Sequence, residues 1–170
     1  MRIIGLTGWS GAGKTTLILK LIPLFTSQGL KVSTLKHAHH MFDVDTPGKD
    51  SYEHRAAGAT EVLIASENRF ALMHELRGHS EPKLEVLLSK LSDVDLVLIE
   101  GFKRAPHPKI EVYREANGKA ALYTGNESIV AIASDRPFKE ATCPVFDIDN
   151  SKVIADFMRD AAVPIDVVNW

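Results

Sequence analysis

The run Ile3 to Thr7 is apolar and β-branched and stops at Gly8, which predicts a short buried strand. From Lys14 to Gln28, Leu17, Ile18, Leu21, Ile22 and Phe25 return at helical spacing, and Gly29 follows as a natural stop. Pro23 lacks an N–H and removes the hydrogen bond to the Leu19 carbonyl, so a kink is expected near the last turns. Val32 to Leu35 predicts a second strand. A strand, a helix and a strand within about 35 residues are the βαβ sign of a parallel sheet.

Further along, His37 to Lys49 is polar and reads as a loop, followed by a helix over residues 50–57. A loop of that length in a small domain is usually functional. Glu61 to Ser66 and Arg69 to His74 are β-rich and joined by Glu67-Asn68, which predicts a hairpin. Lys83 to Leu91 reads as an amphipathic helix after Pro82, and Leu96 to Ile99 as a continuous apolar strand ending at Glu100. Asn117-Gly118 suits a tight turn, so a second hairpin is expected between Ile110 to Glu115 and Lys119 to Tyr123. Ile129 to Ala133 and Val145 to Ile148 complete the strands, and Lys152 to Ala161 is the last helix. No repeat or linker divides the 170 residues, which are expected to form one domain, 1–170.

Composition changes this picture little. Apolar residues make up 45% and charged residues 25%, the balance of an ordinary globular chain. A net charge of -2 gives no broad attraction for nucleic acid or an anionic membrane, so any phosphate must be caught locally. The apolar runs are far shorter than a bilayer span, and the single cysteine, Cys143, has no partner for an internal bridge. A cytoplasmic protein is expected, with Cys143 as a small packing residue.

The chemistry concentrates in Gly8-Trp9-Ser10-Gly11-Ala12-Gly13-Lys14-Thr15, a full match to G-x-x-x-x-G-K-[ST] placed after a strand and at the start of a helix. Its glycines let backbone N–H groups turn inward on phosphate oxygens, the helix N-terminus adds positive potential, and Lys14 supplies a point charge. Thr15 is the expected Mg²⁺ ligand through its hydroxyl, and Thr16 is placed to reach an inner phosphate. Such a loop needs an acid at the end of a neighbouring strand. Glu100, after Leu96-Val97-Leu98-Ile99, supplies it and can hold a metal-bound water or orient a nucleophilic one. Asp43 and Asp45 are the other carboxylates placed to approach the terminal phosphate and its metal. The fold class this predicts is α/β: a P-loop NTPase-like, mostly parallel sheet flanked by helices, with added β-hairpins.

Three segments together carry a resemblance. The phosphate loop, the run Leu35-Lys36-His37-Ala38-His39-His40 followed by residues 43–52 with Pro47-Gly48-Lys49-Asp50-Ser51, and Leu98-Ile99-Glu100-Gly101-Phe102-Lys103 resemble the molybdopterin-guanine dinucleotide biosynthesis adaptor (MobB) family along nearly the whole chain. The resemblance implies GTP binding with slow hydrolysis, a homodimer, and service to the molybdopterin guanylyltransferase, the enzyme that attaches GMP to molybdopterin.

Guanine can be read by a carboxylate that accepts from N1–H and the 2-amino group together. Asp135, after Ile129-Val130-Ala131-Ile132-Ala133-Ser134, stands where such an acid belongs, although the usual Asn-Lys-x-Asp is absent. His37, Lys49, Lys103 and Arg104, with His107 and Lys109 further on, are candidates for a second anionic ligand such as the phosphate of molybdopterin. His37, His39 and His40 with Asp43 and Asp45 can also be read as a metal site, against which stand the adjacency of two of the histidines and the lack of cysteine. The rivals to a GTP-binding adaptor are therefore a small-molecule kinase and a GTP-dependent metallochaperone. The expected hairpin around Asn117-Gly118 would offer a sheet edge on which a second copy could pair.

Overall fold

The computed structural model describes residues 1–38 and 42–170, which divide into two compact units, Met1–His37 with Leu84–Trp170, and Ala38–Lys83. In chain order the elements are β1 (Arg2–Thr7), α1 (Lys14–Thr26), β2 (Val32–Lys36), α2 (Asp50–Ala56), β3 (Glu61–Ala65), β4 (Phe70–His74) and α3 (Leu84–Leu88). They continue with β5 (Leu96–Glu100), β6 (Lys109–Tyr113), β7 (Ile129–Ser134), β8 (Val145–Asp147), α4 (Ser151–Ala161) and β9 (Val163–Pro164).

In the larger unit β2, β5, β1, β6, β7 and β8 pair side by side, all parallel, and β9 adds an antiparallel contact at the start of β1. The chain visits one side of β1 first and the other side afterwards. The order thus reverses at β1, and in parallel sheets a ligand crevice opens at the carboxyl ends of the strands at such a point.

The apolar stripe seen in the sequence explains the packing. Leu17, Leu21 and Phe25 of α1 and Ile154 and Met158 of α4 cover one face of the sheet, against Ile4, Leu6, Leu98 and Ile110. Leu84 and Leu88 of α3 cover the other, against Ile3, Val97 and Ile99. Each such side chain, buried fully, contributes roughly 1.5–3 kcal/mol over an exposed one. The first helix continues through Pro23 to Thr26, and the chain leaves it through Gly29 at φ +83°, a conformation that costs glycine little. The helix expected over 83–91 is shorter: after Leu88 the N–H groups of Lys90 and Leu91 bond back three residues, to Leu87 and Leu88, and tighten the chain out of the α-helix.

In the smaller unit α2 precedes the expected hairpin, β3 antiparallel to β4 with Glu61 opposite His74 and Ala65 opposite Phe70. Leu63, Ile64, Phe70 and Leu72 on it are exposed.

The second expected hairpin does not form. Residues Ile110 to Tyr113 belong to β6, an interior strand between β1 and β7, and Lys119 to Tyr123 is not a strand. The Glu111 carboxylate takes the backbone N–H groups of Leu122 and Tyr123 at 2.7 and 2.8 Å, so a side chain satisfies donors that a ladder would otherwise pair. Asn117 closes a 3₁₀ turn over 115–117, and Gly118 follows at φ +59°. The free sheet edge expected here is therefore absent.

Candidate functional site

The carboxyl end of β1 runs into Gly8, whose φ of +141° and contact with the next strand both demand glycine: a Cβ there would lie 2.3 Å from the Val112 carbonyl oxygen. Gly13, in the left-handed region, opens α1, and no side chain caps the helix. Its first-turn N–H groups are thus left for an anion, the arrangement that binds phosphate at helix N-termini.

Ala12 is buried under the loop, whereas Ser10, Gly11, Thr15 and Thr16 are exposed. Lys14 lies across the loop and donates to the carbonyls of Gly8 and Trp9 at 3.1 and 2.9 Å. Burial holds its ammonium below the ordinary lysine pKa, Glu100 partly offsets this, and Lys103 and Lys36 add to the lowering. A phosphate relieves such crowding of like charges.

Beside the loop, the Thr15 hydroxyl donates to both oxygens of Glu100, at 3.0 and 3.2 Å. Glu100 ends β5, directly opposite Lys36 of β2 and Leu6 of β1 in the strand register. Lys36 Nζ lies 3.3 Å from Glu100 Oε1 and 3.3 Å from Thr15 Oγ1. A hydroxyl and a carboxylate converging on one point are the hard oxygen donors Mg²⁺ takes, and the Lys36 ammonium shows that the point attracts a cation. The residues therefore fit the metal. Lys36 stands in the Leu35 to His40 run without a role read from it, and the parallel register of β2 on β5 places it here.

Immediately after Glu100, Gly101 at φ +98° lets the chain pass His37: a Cβ there would lie 2.9 Å from the His37 Cβ. The rings of His37 and Phe102 are 4.8 Å apart. Lys103 Nζ sits 4.2 Å from the centre of the Trp9 ring, whose N–H donates to the Ala120 carbonyl at 2.8 Å. His37, Lys103 and Trp9 thus share the rim of the phosphate loop, and Arg104 is exposed one residue beyond.

His107 and Lys109 are not at that rim. Both are fully buried; Lys109 donates to the Ala105 carbonyl and, at 2.9 Å, to Ser128 Oγ, while neither nitrogen of His107 has a partner among the described residues. Burial and the neighbouring Lys109 hold His107 down to about 3, and burial holds Lys109 down to about 8. They are packing groups and cannot receive a second anion.

Asp135 follows β7 at the same end of the sheet. It accepts from the Glu115 N–H at 3.0 Å, and Arg114 Nη1 lies 3.7 Å from its other oxygen.

Asp43, Asp45 and Lys49 belong to the smaller unit. There Arg55 donates to Asp43 and Asp45 at 2.7 Å each and to Glu75 at 3.2 Å. These bonds, Arg55 first and Asp45 next, hold the Asp43 carboxyl below its usual range. Lys49 precedes α2 with extended backbone. His39 and His40 lie outside the described residues.

Fold and site together define the class: an α/β nucleotide-binding protein of the P-loop type. The sequence matches the family model of molybdopterin guanine dinucleotide synthesis protein B over residues 3–135. It is 40% identical to a molybdopterin-guanine dinucleotide biosynthesis adapter protein of Escherichia coli (strain K12), over 92% of this chain and 90% of the relative. A relative of the same description in Haemophilus influenzae is 39% identical over 93% of this chain and 88% of its own length. The crystal structure of Bacillus subtilis MobB superposes with a TM-score of 0.75 at 27% identity, covering 96% of this chain and 99% of that one. The chain belongs to the MobB family, whose members are adapter proteins of molybdopterin guanine dinucleotide synthesis.

Proposed function

We propose that this chain binds Mg–GTP in the loop Gly8 to Thr15, serves as the adaptor of the molybdopterin guanylyltransferase, and hydrolyses its nucleotide slowly at most. The observation that carries the nucleotide part is the Thr15–Glu100 pair beside an uncapped helix N-terminus, with Lys36 paired to Glu100 and Lys14 within electrostatic reach of Glu100, Lys36 and Lys103. Backbone N–H groups of Ser10 to Thr16 and the Lys14 ammonium would hold the phosphates. Thr15 and Glu100 would hold Mg²⁺, which when bound neutralises charge on the outer phosphates. Glu100 would orient water, and Lys36, released from Glu100, would turn to the terminal phosphate. Asp43 and Asp45, each bonded to Arg55 through one oxygen, are the further carboxylates proposed for the metal, and Asp45 the one proposed for hydrolysis. Asp135 would read guanine, and His37, Lys49, Lys103 and Arg104 would meet a second anion such as molybdopterin. The setting is the cytoplasm; among the described residues no helix is long and apolar enough to cross a membrane.

A homodimer remains part of this reading, supported by the exposed apolar residues of the β3–β4 hairpin in place of the edge expected near Asn117. Light scattering at micromolar concentration tests it, and a strictly monomeric mass counts against it.

Nucleotide binding is tested by Trp9 fluorescence in a Trp170→Phe protein titrated with Mg–GTP, because Trp9 sits in the loop. Lys14→Ala is expected to weaken binding by about 1.5–3 kcal/mol, the scale of hydrogen bonds to a charged group. The adaptor part is tested by capture of the purified guanylyltransferase and by its product yield at limiting GTP. No binding and no change in yield would sink it.

A further inference from the structure

Residues 114–117, directly after β6, touch both halves of the site and have no role in the reading above. The chain leaves β6 with Arg114 extended and turns through 115–117 to the left-handed Gly118. This turn lays Asn117 on the outside of the phosphate loop. Its side-chain amide donates to the Ser10 carbonyl at 3.2 Å, and its oxygen lies 3.3 Å from where a Cβ on Gly11 would be. Arg114 approaches the loop one step further on, with Nε 3.9 Å from the corresponding position on Gly13. The opposite side of the same turn faces Asp135: the Glu115 N–H bonds one carboxylate oxygen and Arg114 Nη1 lies 3.7 Å from the other.

Two problems of the site meet at this turn. The one polar side chain beside Asp135 in its own strand, Ser134, accepts from the Arg136 N–H, so the strand does not tie Asp135 to the phosphate loop. It also brings a negative charge toward a site meant for a triphosphate. An arginine between the loop and the carboxylate answers both, since its ion pair restrains the carboxylate and its charge offsets it.

We propose that Arg114 is the specificity-determining positioning residue of this nucleotide site and that Asn117 positions its phosphate loop. Arg114 holds Asp135 at a fixed offset from the phosphate loop, and Asn117 fixes the curve of the loop at Ser10 and Gly11. A nucleotide whose triphosphate is seated in the loop then presents its base edge to a carboxylate already in place. An ionised carboxylate has roughly four acceptor positions; the Glu115 N–H takes one and the Arg114 guanidinium, at ion-pair distance, takes none, which leaves room for the N1–H and 2-amino group of guanine. The inference rests on the guanine reading of Asp135 and assigns to Arg114 the placement that makes that reading selective.

The test compares Mg–GTP and Mg–ATP binding to Trp170→Phe protein, by Trp9 fluorescence and by calorimetry. Arg114→Ala is expected to lower the GTP-over-ATP preference by roughly tenfold, because placing a hydrogen-bonding group wrongly forfeits its bonds to the base. Arg114→Lys is expected to recover part of that preference. Asn117→Ala is expected to weaken GTP, GDP and ATP by one common factor and leave the preference intact. Combining Arg114→Ala with Asp135→Ala is expected to reduce the preference no further than Asp135→Ala alone, the signature of residues acting as one unit. An Arg114 side chain that only stabilised the fold would, on removal, lower both nucleotides alike. If Asp135→Asn changes the nucleotide ranking and Arg114→Ala does not, the positioning role is overturned and the guanine reading survives. If Asp135→Asn leaves the ranking unchanged, the guanine reading fails and this proposal fails with it.

Discussion

β5 and β6 lie on either side of β1, are buried along their whole length, and carry charge in opposite ways. β5 is Leu-Val-Leu-Ile-Glu, apolar until its last residue, and that residue opens into the site and meets Thr15 and Lys36. β6 is Lys-Ile-Glu-Val-Tyr, and its Lys109 and Glu111 are fully buried inside the fold. Lys109 bonds the Ala105 carbonyl and Ser128; Glu111 bonds the Leu122 and Tyr123 N–H groups. Burial pushes the Glu111 carboxyl up, and the two N–H groups pull it back. A charged residue in a strand therefore marks either a working edge or an internal bracket, and its partners decide which.

The sharpest way to break this contrast is to remove the bracket. Glu111→Ala strips two part-buried N–H groups of their acceptor and is expected to cost on the order of 2 kcal/mol in urea unfolding, since an unsatisfied buried group costs about 1–3 and a part-buried one less. A change below about 0.5 kcal/mol would show that residues 119–123 are held by other contacts.

Acid should act on the same side of the sheet. His107 protonates near 6.5 when unfolded and only near 3 when folded, so between those values the unfolded chain binds the extra proton. Its contribution is complete above pH 6.5 and is lost as pH falls toward 3. Lys109 adds an opposite-end effect: its folded value near 8 lies below the ordinary 10.5, so stability rises as pH climbs through that window. Unfolding free energies of wild type and His107→Leu, followed from pH 7 to pH 4, are expected to show wild type losing about 3 kcal/mol more than the variant. Parallel curves would remove His107 from the account.

The β5 side should respond in function and hardly in stability. Glu100→Gln keeps the shape of the side chain and is expected to leave the unfolding free energy within about 0.5 kcal/mol of wild type. Phosphate release, already slow, is expected to fall further, with nucleotide affinity mostly kept. A brisk turnover of the wild-type protein, with an acceptor or without, would instead revive a kinase.

Much of the phosphate site was legible in the sequence because it is local. Gly8 to Thr15 must turn on glycine, open a helix and follow a strand, and these demands are written within eight consecutive residues. β5 with its terminal Glu100 was legible for a similar reason, since an unbroken apolar run leaves few alternatives to a buried strand. The 61–74 hairpin was also local, two β-rich runs joined by a two-residue turn signal.

The segment from Lys109 to Tyr123 misled because alternation of polar and apolar residues looks the same whether the polar side faces water or a buried partner. Asn117-Gly118 likewise suits a hairpin turn and a 3₁₀ turn, and only the packing against Ser10 and Gly11 selects the second. Lys36 and Glu100 are 64 positions apart and meet because β2 pairs with β5 in parallel register. Arg114 and Asp135 meet because β6 and β7 are neighbours that end together. The sequence by itself determined the phosphate loop, the acid beside it and the strands that carry them, since backbone conformation and hydrophobic period act over a few residues. The charges that surround the loop were decided only by the tertiary structure, because strand order and register arise from burying the whole sheet at once.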